Sequence, residues 1–267
     1  ASDVYKRQVC HCAGLTRALD EETFMRVNTT ATEAVARACI EANPHLRRFV
    51  FVSSQAACGP SEGPDHYVDE YCSTQPITWY GKSKLAAERA LQALGERLPL
   101  TIVRAAAIYG PRDRDFFTYF DLVNRGLRLH LGRGERRYCL IYVRDLVRLL
   151  VLTLESDVAL GQTYFSGGPS HGYVEISEAI AQILGKRPRP ITLPEFVLTP
   201  ISLWSTARAK VTGRPGLLNA QRVLDMRHRY WLCSGDKARQ ELGFMPKYSL
   251  ETALQETADW YRANGWL

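Results

Sequence analysis

Short apolar runs alternate with amphipathic segments along most of this chain. The apolar runs predict strands at 9–12, 48–53, 100–105 and 138–142. Apolar residues at helical spacing predict helices at 22–42, 80–97, 116–126, 143–154, 174–184 and 250–264. Because strands alternate with helices, we expect an α/β fold in which helices cover a parallel sheet.

A polar segment separates the second predicted strand from the next helix. Residues 55–79 are rich in Gly, Pro, Ser, Asp and Thr, which is typical of a long loop over a site. The helix that follows begins with Tyr80 and carries Lys84 one turn later, so both side chains share a face. A nearby ammonium lowers a tyrosine pKa, and such a tyrosine can exchange protons with a substrate oxygen. Ser54, at the end of the strand, is placed to hydrogen-bond the same oxygen.

Further elements accompany this pattern in a fixed order along the chain: Val9-Cys10-His11-Cys12-Ala13-Gly14, Val27-Asn28, Val52-Ser53-Ser54, Tyr80-x-x-x-Lys84, Arg104 through Ile108-Tyr109-Gly110-Pro111, Ile141-Tyr142-Val143-Arg144-Asp145 and Glu241-Leu242-Gly243-Phe244. Together they resemble the extended short-chain dehydrogenase/reductase superfamily, which includes NAD(P)-dependent epimerases and dehydratases and 3β-hydroxysteroid dehydrogenase-like proteins. The resemblance implies an enzyme that uses NAD or NADP. It also implies a Rossmann-like parallel sheet at 9–186, with a smaller, mainly helical substrate lobe at 187–267.

The resemblance assigns catalytic roles to three residues. Tyr80 becomes the general acid and base, and Lys84 lowers its pKa and reaches the ribose hydroxyls. Ser54 orients the substrate oxygen; it is preferred over Ser53 because it lies five residues before Gly59, which is the spacing of the superfamily. Ser53 is then a structural residue at the strand end.

The resemblance also assigns cofactor contacts. Cys12, Ala13 and Gly14 are expected against the dinucleotide, where small residues let the backbone approach. Asn28 is expected near the nicotinamide ribose, although a helical asparagine that bonds to neighbouring backbone is the alternative. Ala107 belongs to the 105–107 segment, whose backbone is expected to meet the carboxamide. His11 is interpreted as a core histidine.

One part of the superfamily pattern is missing. No Gly-x-x-Gly-x-x-Gly turn precedes Val9, and that region would bind the pyrophosphate and choose between NAD and NADP. Residues 1–8 carry a charged run, Tyr5-Lys6-Arg7-Gln8, where a buried strand is expected, and they resemble a translated sequencing adapter; a divergent strand entrance is the alternative. We therefore expect a non-native head on an N-terminally truncated, inactive chain whose strand at 9–12 lies at a sheet edge.

The charge and composition of the chain limit the ligands that we expect it to bind. The net charge is +6, but the Lys and Arg residues are scattered, so a phosphate-bearing cofactor explains the charge better than nucleic acid. Seven cysteines without regular spacing favour reduced thiols and a cytoplasmic protein. Cys10-His11-Cys12 has no second ligand pair, so we predict packing on a buried strand and no metal site. The chain contains no run of 18 apolar residues that would predict a transmembrane segment. A homodimer is left open.

Two departures from the pattern bear on the reaction. Gln55-Ala56 stands where dehydratases of the superfamily carry an Asp-Glu pair, and Ala107 stands where nucleotide-sugar enzymes tend to carry Asn. These departures favour an oxidoreductase similar to hydroxysteroid dehydrogenases and dihydroflavonol reductases, acting on a secondary alcohol or ketone of a small apolar molecule. The apolar segment at 191–204 fits this substrate, although packing of an amphipathic helix on the core explains it better. A nucleotide-sugar epimerase and a non-catalytic cofactor-binding relative remain alternatives.

Overall fold

The computed structural model describes residues 7–132, 134–212 and 220–267. Its strands are β1 (Gln8–His11), β2 (Arg48–Ser54), β3 (Leu100–Ala105), β4 (Ala107–Tyr109), β5 (Leu127–Leu131), β6 (Arg137–Tyr142), β7 (Thr163–Phe165), β8 (Ser170–Gly172), β9 (Arg189–Leu193) and β10 (Tyr230–Trp231). Its helices are α1 (Glu21–Phe24), α2 (Ala31–Ala42), α3 (Trp79–Gln92), α4 (Arg114–Asn124), α5 (Val143–Glu155), α6 (Tyr173–Leu184), α7 (Leu198–Thr212), α8 (Ala220–Arg227), α9 (Asp236–Leu242) and α10 (Leu250–Ala263).

The main sheet has the strand order β1-β2-β3-β7, and all its neighbouring strands are parallel. A second sheet has the order β10-β6-β4, with β8 antiparallel to β6, and β5 pairs with β9. Parallel strands joined by helices confirm the predicted α/β class with a parallel sheet. The short strand β7 was not predicted, because three residues are too few to show a periodic pattern.

Strand β2 explains why the main sheet needs helices on both faces. Its residues alternate between the faces: Phe49 and Phe51 pack with Leu91 of α3 on one face, whereas Val50 packs with Leu149 of α5 on the other. A strand that is apolar on both faces is stable only between two layers. The result is a three-layer arrangement with the sheet in the middle.

The predicted helix at 22–42 is interrupted in the structure. Between α1 and α2, residues Met25–Thr30 form a π-helical turn. Asn28 and Thr29 on this turn both hydrogen-bond to Ser83 of α3. The wide turn therefore faces α3, a tertiary contact that apolar spacing does not reveal.

Strand β1 lies at the edge of the main sheet, as expected, with β2 as its neighbour. Gln8 already belongs to β1 and pairs with Arg48, whereas residues 1–6 of the expected non-native head lie outside the described residues. The expectation that Cys10 and Cys12 pack in a buried strand is wrong, since both thiols are exposed. The edge position explains this, because no described strand covers the outer side of β1.

Residues of the expected substrate lobe also contribute to the core of the main sheet. Leu232, Cys233, Ala238 and Phe244 pack in the same cluster as Val50. Helix α10 packs against α4 and α6. The division at 186/187 therefore remains a prediction. In the described part of the chain, every helix is too short or too polar to cross a membrane.

Candidate active site

The predicted catalytic residues meet at the carboxyl ends of the parallel strands. Ser54 ends β2 and pairs in register with Ala105, the last residue of β3. The Lys84 ammonium donates a hydrogen bond of 2.8 Å to the carbonyl of Val52. The Ser54 hydroxyl is near enough to the Tyr80 phenol to lower its pKa. The structure thus brings Ser54, Tyr80 and Lys84 together, at the edge where ligands bind in open parallel sheets.

Helix α3 begins at a defined point because its first turn is capped. The Thr78 hydroxyl accepts a hydrogen bond of 3.2 Å from the Gly81 N–H. A Cβ on Gly81 would collide with the carbonyl oxygen of Ala56, so only glycine lets α3 approach the 3₁₀ turn Gln55–Ala57. This close approach sets Tyr80 beside the end of β2.

The pKa of Tyr80 is raised rather than lowered. Burial of the phenol is the largest cause, the hydrogen bond from Ser54 opposes it, and the negative charge of Asp225 adds to the rise. The charge of Lys84 makes no resolved contribution to this pKa. The expectation that Lys84 lowers the pKa of Tyr80 stays a prediction. Because its pKa is raised, Tyr80 holds its proton at neutral pH.

Lys84 is a buried lysine, with 5% of its surface exposed. Burial lowers its pKa to about 8, and the carboxylate of Glu88 and the thiol of Cys12 partly oppose this. Its ammonium also lies 4.8 Å from the centre of the Phe51 ring. Because this pKa is about 8, Lys84 loses its charge within the pH range of ordinary enzyme assays.

Asn28 is buried and its amide is fully engaged. It accepts a hydrogen bond of 2.7 Å from the Leu15 N–H and donates one of 2.9 Å to the Leu15 carbonyl. It also donates to the Ser83 hydroxyl at 3.0 Å. Asn28 clamps the loop after β1 onto α3, which is closer to the structural alternative than to a ribose contact; the ribose role stays a prediction.

A buried ion pair joins α3 to strand β3 of the main sheet. Arg104 of β3 donates to both carboxylate oxygens of Glu88, with a shortest distance of 2.7 Å. Ser53 donates to the same carboxylate. Glu88 was missed in the sequence, although it lies one turn after Lys84 on α3. The bonds of Ser53 agree with its interpretation as a structural serine.

Helix α8 reaches the site from a distant part of the sequence. The side-chain amide oxygen of Gln221 accepts a hydrogen bond of 2.8 Å from the backbone N–H of Trp79, at the start of α3. Asp225 lies one turn further along α8, on the same face. Burial raises the pKa of Asp225 to about 6, while Arg222 opposes this rise. Sequence reasoning missed both residues because no local motif marks them.

The remaining cofactor candidates surround the same edge. Cys12, Ala13 and Gly14 are exposed in the loop after β1, and Ala107 is exposed at the start of β4. A Cβ on Gly14 would lie 3.1 Å from the Asn28 side-chain oxygen and 3.4 Å from the Lys84 nitrogen. His11, by contrast, is half-buried and hydrogen-bonded to Thr32 at 3.0 Å. Small exposed residues beside a buried ammonium fit the nicotinamide half of a dinucleotide.

The family model of the NAD dependent epimerase/dehydratase family matches residues 6–165. The chain belongs to this family. Among its relatives, the ceramide reductase of Caulobacter vibrioides is 32% identical over 259 residues, which cover 96% of this chain and 74% of the relative. The family is defined by its use of NAD, so the predicted nicotinamide cofactor is confirmed, as is the predicted superfamily.

Other family members differ in their named activities. The sterol-4-alpha-carboxylate 3-dehydrogenase of Gibberella zeae is 25% identical, covering 94% of this chain and 90% of the relative. The UDP-glucose 4-epimerase of Vibrio cholerae is also 25% identical, covering 94% and 75%. The crystal structure of gox2253 superposes with a TM-score of 0.77 at 26% identity, covering 98% of this chain and 80% of that one. The chain thus belongs to a family of NAD-dependent oxidoreductases, epimerases and dehydratases whose members differ in their named substrates.

Proposed function

We propose that this family member transfers hydride between a nicotinamide cofactor and a secondary alcohol or ketone of a small apolar molecule. The observation that carries the proposal is the convergence of Ser54, Tyr80 and Lys84 at one end of the parallel sheet. A hydroxyl, a phenol and an ammonium at this position supply what a carbonyl oxygen needs as it becomes an alcohol.

Each residue has a distinct part in the proposed reaction. A bound nicotinamide supplies or accepts the hydride. Tyr80 holds its proton at neutral pH and gives it to the substrate oxygen in the reductive direction. The Ser54 hydroxyl donates a second hydrogen bond to that oxygen and orients it. The Lys84 ammonium holds ribose hydroxyls and, once it leaves the Val52 carbonyl, favours the phenolate that remains on Tyr80.

An apolar substrate is supported by exposed apolar side chains near α7 and by the relatives. Phe196, Leu203 and Trp204, just before and within α7, are 75%, 65% and 67% exposed, and contact with a lipid-like molecule would remove such side chains from water. In the segment 105–107 only Ala107 is exposed, and its side chain is small and apolar. The names of the ceramide reductase and the sterol dehydrogenase point to the same substrate class.

The first prediction tests the acid and base. In a full-length parent restored with the glycine turn, Tyr80→Phe removes the transferable proton and little volume, so we expect turnover of a hydrophobic ketone to fall about 100-fold or more, the usual contribution of general acid catalysis. Binding of the nicotinamide cofactor, measured by fluorescence titration, should change little. Ser54→Ala should reduce turnover less. Near-normal turnover in Tyr80→Phe would show that the acid and base is another group.

Epimerisation of a nucleotide sugar is the second candidate, favoured by the similarity to a UDP-glucose 4-epimerase. The two candidates are separated by incubating the protein with UDP-glucose and NAD, and in parallel with long-chain ketones and NADH or NADPH. Our proposal expects oxidation of the reduced cofactor by the ketones and little epimer from the sugar. Epimer formation without net cofactor turnover would reverse the ranking.

A further inference from the structure

Two exposed thiols lie side by side next to the proposed active site. Cys10 lies on the edge strand β1 and Cys12 follows directly after it, and their sulfur atoms are 3.7 Å apart. Only His11 separates the two cysteines in the sequence, so their side chains stay close to each other. Both thiols are exposed to solvent. Cys12 is also a predicted cofactor contact, but neither thiol takes part in the proton or hydride transfer proposed above.

The surroundings of the pair favour one reactive thiolate and one nearby thiol. The hydrogen bond from Cys10 and the positive charge of Lys84 lower the pKa of Cys12 to about 6, against desolvation. The same hydrogen bond raises the pKa of Cys10. A thiolate with a low pKa, open to solvent and next to a second cysteine, is the arrangement of cysteines that react with peroxides.

We propose that Cys10 and Cys12 form a redox-active dithiol that closes to an intramolecular disulfide when it meets a hydroperoxide. The Cys12 thiolate attacks the peroxide, an S–O bond forms, the O–O bond breaks, and the leaving oxygen departs as an alcohol or water after taking a proton. Cys10 then attacks the Cys12 sulfur, the S–S bond forms, and the S–O bond breaks with release of water. Two electrons pass from the two thiols to the hydroperoxide.

The fold allows the closure. The sulfur atoms must approach by about 1.6 Å to reach the length of a disulfide. Strand β1 ends at His11, so the backbone at Cys12 is not held in the sheet ladder. Closure also moves the start of the Cys12-Ala13-Gly14 loop, which lies against Asn28 and Lys84.

The chain offers a direct test by peptide mapping. Trypsin cleaves after Arg7 and Arg17, so Cys10 and Cys12 fall in one peptide that contains no other cysteine. The reduced 267-residue protein is treated with one equivalent of hydrogen peroxide, and free thiols are then alkylated in denaturant. We expect the 8–17 peptide to lose two hydrogens and to escape alkylation. Cys39, which lies alone in the 38–47 peptide, serves as the internal control and should stay alkylated.

Variants separate the two thiols. Cys12→Ser should slow peroxide consumption about tenfold, since an ordinary thiol is mostly protonated at neutral pH. Cys10→Ser should consume peroxide but stop at a sulfenic acid that dimedone traps on Cys12. Thermal unfolding confirms that each variant is folded. The proposal would be overturned if peroxide produced disulfides that join the 8–17 peptide to another peptide or another chain. Full alkylation of both cysteines after peroxide would overturn it as well.

Discussion

At the scale of single residues, burial of Tyr80 and Lys84 disfavours the charged form of each side chain. It raises the pKa of Tyr80 and lowers the pKa of Lys84 to about 8. The phenol is therefore protonated in the resting chain, which suits proton donation to a carbonyl. The ammonium is held by the Val52 carbonyl at 2.8 Å, the Phe51 ring and the charge of Glu88. A ligand that gives Lys84 new acceptors can release it toward the phenol.

The lowered pKa of Lys84 predicts a dependence of stability on pH. The group titrates at about 8 in the folded chain and near its ordinary value of 10.5 when unfolded. Between these values the unfolded chain binds more protons, so this residue makes the free energy of unfolding rise with pH, by roughly 1 kcal/mol per pH unit at most. Lys84→Met should remove that slope, as measured by urea unfolding at pH 8 and pH 9.5. Lys82→Met, on the exposed side of α3, is the matched control and should keep the slope. Identical slopes in all three proteins would contradict the assignment.

At the scale of elements, α3 is positioned by three distant segments. The π-helical turn at 25–30 holds one side through Asn28 and Thr29. The β3 strand holds it through the Arg104 ion pair with Glu88, and the helix rests on the turn at 55–57 through Gly81. These contacts set the positions of Tyr80 and Lys84, and none of the contacts involves a substrate.

Gly81 gives the sharpest test of that positioning. In an open helix, alanine in place of glycine stabilises by up to about 1 kcal/mol. Here the added Cβ would collide with the Ala56 carbonyl and lie 3.1 Å from the Pro76 Cβ, so Gly81→Ala should instead destabilise by about 1–3 kcal/mol. Turnover should fall as well, because Tyr80 is adjacent. Chemical denaturation measures the first effect, and a gain in stability would show that α3 does not pack this closely.

The charge of Asp225 on α8 should influence the pH dependence of the reaction. The charge of Asp225 contributes to the raised pKa of Tyr80. Asp225→Asn should therefore shift the pH profile of alcohol oxidation, in which Tyr80 acts as the base, toward lower pH. Glu96→Gln, at an exposed carboxylate on the Gly95–Arg97 turn, should leave the profile unchanged. An unshifted or upward-shifted profile in Asp225→Asn would rule out this coupling.

At the scale of the whole molecule, segments far apart in the sequence meet at the carboxyl ends of the main sheet. The loop after β1 lies against Asn28 and Lys84, and α8 reaches the start of α3 through Gln221. The proposed site therefore depends on the packing of the whole fold.

The sequence by itself determined the alternation of strands and helices, the placement of Ser54 at a strand end and the shared helix face of Tyr80 and Lys84. These features depend on residues close together in the chain, and periodicity records them. Only the tertiary structure decided that Cys10 and Cys12 are exposed, that Asn28 clamps the Leu15 backbone, and that Gln221 and Asp225 reach α3. It also decided the direction of the Tyr80 pKa. Burial and charge at a site are set by segments far apart in sequence, and no local pattern carries that information.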